Sequence, residues 1–166
     1  MKPGDHPEFF RFPAPEGRSR ESTIRLDGEG QLWHEGQPVA HPKLAQAMHG
    51  WISRHPDDGR FVLTNGYDWT YFTVEDVPFF VRSVHIDDAG GVKLRLSDET
   101  DEAWDPATSR IGPRDALYAV VKRGHSQGPF DAKFTRFAQA QLAPALIESE
   151  GGPGVRIGGR VVRIGG

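Results

Sequence analysis

Between residues 60 and 96, apolar and β-branched residues come in short runs broken by turn-forming residues. The runs are Arg60-Phe-Val-Leu-Thr, Asp68-Trp-Thr-Tyr-Phe-Thr-Val, Val77-Pro-Phe-Phe-Val-Arg-Ser-Val-His-Ile and Val92-Lys-Leu-Arg-Leu. Asn65-Gly66, Glu75-Asp76 and Asp87-Asp-Ala-Gly-Gly separate them. Side chains that suit a pleated surface, bounded by turn residues, predict a meandering antiparallel sheet. In Val92–Leu96 every second residue is apolar, which turns Lys93 and Arg95 to a solvated face. By the same alternation Val81, Ser83 and His85 share one face of their strand, and Arg82 and Val84 the other.

Upstream, Thr23-Ile-Arg-Leu and Gln31-Leu-Trp-His flank the glycine-rich Asp27-Gly-Glu-Gly, the pattern of a hairpin. Ile24, Leu26, Leu32 and Trp33 are its apolar positions. The spacing predicts a helix over 42–55. Pro42 suits its first position, and Leu44, Ala47, Met48, Trp51 and Ile52 form one apolar stripe. Pro56 biases His55 away from helix and ends it. Further on, Leu117-Tyr-Ala-Val-Val-Lys reads as a strand. Asp131 reads as the cap of a second helix over 132–146, on which Phe134, Phe137, Ala138, Gln141 and Leu142 follow helical spacing until Pro144 disrupts it.

Strands and helices that do not alternate strictly give the α+β class. The expected architecture is two small rolled antiparallel sheets, each with one packed helix. The expected organisation is an irregular N-terminal arm (1–21), an N-terminal β-rich roll (22–76), a C-terminal α/β roll (77–148) and a Gly-rich tail (149–166). The arm carries four prolines, and its Phe9, Phe10 and Phe12 are expected to pack on the body or to engage a partner. The tail repeats Val155-Arg-Ile-Gly-Gly as Val162-Arg-Ile-Gly-Gly. The favoured reading is a disordered glycine-rich end. The other is an edge strand added to its own sheet or to a partner's, so that 155–166 serves self-association.

Composition narrows the function classes. The 166 residues include 20 basic and 23 acidic side chains, a net charge of −3. Without a basic surplus, nucleic acid is not an expected partner. There is no cysteine, which excludes disulfides and thiolate metal sites. No apolar stretch has the length of a membrane span, and the opening residues lack the apolar core of a secretory leader. The expectation is a soluble cytoplasmic protein. Phosphate-loop, dinucleotide-binding and nucleophile-elbow motifs are missing, so no cofactor is expected.

Candidate chemistry sits at strand ends. Lys122, Arg123 and His125 end a strand and enter a loop, a cationic setting for a phosphate or carboxylate. Asp68 and Trp69 follow a turn and offer a small binding lip, unless Trp69 caps the core. Glu75 and Asp76 are adjacent carboxylates between strands. With His34 and His85 they make a weak set of metal candidates, since no histidine pair has dedicated ligand spacing.

The ordered features also form a composite pattern. Asp27-Gly is followed by Trp33-His-Glu-Gly, Pro38-Val39 and His41-Pro42-Lys-Leu. Asp58-Gly-Arg-Phe-Val-Leu then precedes Val74-Glu-Asp-Val-Pro-Phe, and Lys122-Arg123-Gly124 precedes the last helix. From about Thr23 to about Phe137 the chain resembles the bacterial domain-of-unknown-function family 1285. The resemblance implies a two-part α+β structure, and it carries no established activity or catalytic residues. The reading that follows is an uncharacterised bacterial protein acting as a non-enzymatic binding or regulatory module. A metal-dependent hydrolase or a small-anion sensor, using the histidines and acidic residues at strand ends, is the alternative.

Overall fold

The computed structural model describes residues 2–149, 151–157 and 160–165. The protein is α+β, with two α-helices and four sheets among the described residues. It divides into two units. The first holds the chain up to Pro78 together with His125–Gly128, and the second holds Phe79–Gly124 and the chain from Pro129 onward. The expected pair of small antiparallel rolls is therefore corrected: the sheets are more numerous, one has six strands, and two strand pairings are parallel.

In the first unit, β1 (Arg25–Leu26) and β2 (Leu32–His34) form the expected hairpin, with Leu26 opposite Leu32 and both fully buried. Asp27 organises its turn. One carboxylate oxygen accepts from the Glu29 and Gln31 N–H groups and the other from Trp33 Nε1. The chain then reverses at Glu35 and Gly36, whose φ values of 52° and 77° are the left-handed pair that a tight hairpin turn requires. β3 (Gln37–Pro38) follows. Helix α1 spans Pro42–Gly50, capped by His41 Nδ1, which accepts from the Leu44 N–H. It stops short of the expected residue 55. Ile52–Arg54 is instead strand β4, paired antiparallel with β5 (Phe61–Thr64), which pairs with β6 (Trp69–Tyr71). Of the expected helical stripe Met48 is buried, while Leu44 is 46% exposed. β7 (Thr73–Val74) runs parallel to β1. The four runs between 60 and 96 are thus strands, but they are shared among three sheets and form no single meander.

The N-terminal arm is no loose segment. Its two 3-10 turns, Pro3–Asp5 and Pro7–Arg11, bury Phe9 and Phe10 against Val62 and Trp69. Of its three aromatics only Phe12 is exposed, and Phe9 and Phe10 pack on the body of the unit as core residues.

In the second unit, β8 (Phe79–Ile86) and β9 (Val92–Leu96) pair antiparallel around a bulge between Val81 and Ser83. β10 (Asp101–Ala103) borders β9. β11 (Arg110–Ile111), β12 (Leu117–Val121) and β13 (Phe130–Phe134) complete the sheet in the order β10-β9-β8-β13-β12-β11, with β13 parallel to β8. β9 alternates buried and exposed as expected. Asp131 lies inside β13, not at a helix cap. Phe130, Ala132 and Phe134 are buried at period two, which makes a strand of the stretch. Helix α2 covers only Arg136–Leu142, and Thr135 caps it by accepting from the Ala138 N–H. Phe79 and Phe130 meet edge to face, 5.2 Å between ring centroids, in a core with Val81, Leu94, Leu96 and Val121.

The expected disordered tail is also corrected. β14 (Leu146–Ser149), β15 (Gly152–Ile157) and β16 (Arg160–Arg163) form a three-stranded antiparallel sheet. The repeat's Gly158, Gly159 and Gly166 lie outside the described residues. Among the described residues no helix is long and apolar enough to cross a membrane.

Candidate functional site

The first unit contains a cleft of about 570 Å³, a volume suited to a small ligand. The arm forms one wall with Lys2, Asp5 and His6. Trp51, Ile52 and Ser53, where α1 passes into β4, form another, and the Thr64-Asn65-Gly66 turn a third. His125, Ser126 and Gln127 close it, and Arg54 Nη1 donates to the Gln127 carbonyl at 3.1 Å.

The arm holds its place by backbone and side-chain bonds to the rest of the unit. The Gly4 N–H donates to the Gly66 carbonyl at 2.8 Å, an approach so close that a Cβ on Gly4 would lie 3.0 Å from the Gly66 Cα. Gly66 has φ +90°, and a Cβ there would meet the Lys2 side chain at 2.7 Å. Arg11 is bidentate to Asp57, and Asp57 sits below the usual carboxylate range because of that guanidinium. His55 is buried beneath the arm. Its Nδ1 accepts from the Asp57 N–H at 3.1 Å, which assigns its Nε2, 3.0 Å from the Phe10 carbonyl, as the ring's donor. Phe10, Trp69 and Tyr71 surround that ring. Burial raises the Tyr71 hydroxyl, as does its 2.7 Å bond to Asp58.

The cleft itself carries hydrogen-bonding groups that the protein does not use. Ser53 lines the cleft with 8% of its surface exposed, and its hydroxyl opens to the cleft with no hydrogen bond among the described residues. The exposed His6 imidazole likewise has no hydrogen bond among the described residues, and the exposed Lys2 ammonium has no carboxylate partner there. Lys2 Nζ lies 5.7 Å from the Tyr67 ring centroid. Asp5 is the acidic group of the lining, and one of its oxygens accepts from the Lys2 N–H at 2.9 Å.

His125 belongs to the first unit and lines its cleft, whereas Lys122 and Arg123 belong to the second. Lys122 is spent on structure. Its ammonium lies 2.6 Å from Asp98 in a largely buried pair and over the Phe79 ring, and its N–H donates to Glu102. Burial works to raise the Asp98 carboxyl, but bonds from Lys122 and Thr100 outweigh it and hold the group below its ordinary range. Arg123 pairs with Asp105 at 3.2 Å. Both cations are thus paired within the second unit, Lys122 in a mostly buried pair and Arg123 in an exposed one.

Asp68 pairs with Arg20 at 2.6 Å, and Trp69 is buried in the core with that guanidinium stacked on it, so the two form no exposed lip. Buried Trp69 Nε1 has no acceptor among the described residues. Glu75 pairs with Arg25 at 2.7 Å, and Asp76 is exposed beside it in sequence. His34 sits exposed at the end of β2 and His85 exposed on β8, in different units. Among the described residues no group of three His, Asp or Glu side chains is placed to hold a metal ion.

Lys2, His6 and Ser53 escaped the sequence reading. Asn65-Gly66 marked a turn, but nothing local says that residue 4 docks on it.

No protein-family model and no curated protein sequence matches the chain. Two solved structures are similar to it. A DUF1285 family protein from Silicibacter pomeroyi DSS-3 superposes with a TM-score of 0.68 at 16% identity, covering 93% of this chain and 91% of that one. A DUF1285 family protein from Shewanella baltica OS155 gives 0.57 at 16% identity, covering 76% and 94%. The chain therefore has the DUF1285 fold. The family is one of unknown function, so the likeness delivers an architecture and no activity.

Proposed function

We propose that this protein is a non-enzymatic binding module of the DUF1285 type, whose first unit takes a small anion, a carboxylate or phosphate compound, in its arm-walled cleft. The observation that carries this reading is the set of donors gathered on one cleft: the Lys2 ammonium, the His6 imidazole and the Ser53 hydroxyl. A ligand oxygen entering the cleft can accept from all three, and the bonds from the charged donors are the stronger ones. One carboxylate, Asp5, faces them and is partly engaged already. Because the arm supplies two of the three groups, ligand binding and arm docking favour each other, which gives the module a means of signalling occupancy.

The test is calorimetric and thermal titration of the protein with inorganic phosphate and with small dicarboxylates. Ligand at a hundred times its dissociation constant stabilises by about 2.7 kcal/mol. Lys2→Ala with His6→Ala removes that stabilisation, while Arg123→Ala keeps it. Stabilisation that survives the double variant, or no response to either anion class, overturns the reading.

A further inference from the structure

The second unit has a pocket of different chemistry. It encloses about 320 Å³ and is walled by Ile111, Leu117, Leu146, Ile147, Pro153 and Ile164. Ile111 and Leu146 remain 50% and 36% exposed at its mouth. Two carboxylates, Asp115 and Glu148, stand on its lining, both exposed, and neither has a cationic partner among the described residues. The Arg136 guanidinium donates to the carbonyl of Arg114, the residue before Asp115, and not to either acid.

The loop that presents Asp115 is held in an unusual backbone conformation. Arg114 and Asp115 both have φ of 58°, the left-handed region that side chains other than glycine, asparagine and aspartate avoid. Gln139 on α2 pins that loop from below. Its Oε1 accepts from the Leu117 N–H at 3.2 Å and its Nε2 donates to the Asp115 carbonyl at 2.9 Å. Strained backbone held by such contacts collects at ligand clamps, and here it sets Asp115 on the lining of an apolar cavity.

We propose that this pocket binds a small organic cation with an apolar body, of the alkylamine class. The aliphatic walls take the hydrocarbon, and Asp115 with Glu148 take the ammonium at the mouth, where partial removal from water strengthens the attraction. This site is distinct in residues and in charge from the anion cleft of the first unit, and its failure leaves that reading standing.

The experiment uses the whole chain and three probes of one length: hexylamine, hexanol and hexanoate, followed by ligand-observed NMR and competition titration. Hexylamine is expected to bind about tenfold more tightly than hexanol, the worth of one partly desolvated charge pair, with hexanoate weakest. Asp115→Asn with Glu148→Gln removes that preference while hexanol binding persists. Asn tolerates the left-handed backbone at 115, so the variant keeps the loop. Hexanoate binding as tightly as hexylamine, a preference retained in the double variant, or no binding of any probe overturns the proposal.

Discussion

The two units close their cores by opposite means. The second lays most of its strands side by side in one six-stranded sheet, and its mostly buried charges, Lys122 and Asp98, neutralise each other at strand ends. The first has sheets of three and four strands, none longer than four residues. Sheets this short do not cover their own apolar face. The unit is completed by an irregular arm that inserts Phe9 and Phe10. It is fastened by the backbone bond from Gly4 to Gly66, by His55 and by exposed ion pairs. A wide sheet can be self-sufficient, whereas a patchwork of short ones depends on a segment with no regular structure of its own.

The sharpest break of this contrast is Phe10→Ala. The ring is buried against Phe9, His55 and Trp69, and deleting a buried phenyl costs about 3–4 kcal/mol. Amide exchange should accelerate in β5 and β6 and leave β8 and β9 protected. Equal loss in both units would mean that the arm supports the whole chain and that the contrast is wrong.

Lys122→Ala is the matching cut in the second unit. It strands a mostly buried carboxylate, at about 3 kcal/mol. Asp98 is held below its ordinary value when folded. Its stabilising contribution is therefore present above the unfolded-state pKa of about 3.9 and is lost as pH falls through the lower folded value. Denaturant midpoints of wild type and variant should differ most near neutrality and converge in acid. A gap that does not depend on pH would remove the ion pair from the account.

The smallest effect belongs to Arg11→Ala. Its pairs with Asp57 and Glu8 are solvent-exposed, so the thermal midpoint should barely move, and molar salt should erase what difference there is. A large, salt-resistant loss would show that charge, and not aromatic packing, docks the arm.

Much of this was legible residue by residue. The hairpin of β1 and β2 follows from alternation around Asp27-Gly-Glu-Gly, and β9 shows its two faces as written. The errors arose where two periodicities coincide. Ile52 sits on the helical stripe of α1 but also begins β4, and Phe134 fits both α2 and the period-two burial of β13. Of the site, His125 was legible as a polar residue in a loop. Ser53 was hidden inside a supposed helix, and Lys2 and His6 inside a supposed loose arm.

Side-chain order along the chain decides which segments extend, which coil and which face each turns inward, because pleat and helix repeat over only two to four residues. Tertiary structure alone decides who pairs with whom. That β1 takes β7, that β8 takes β13, and that Gly4 rests on Gly66 are contacts made by backbone N–H and C=O groups. Every residue but proline carries both of those groups, so they leave no mark in the sequence until the whole core selects their partners.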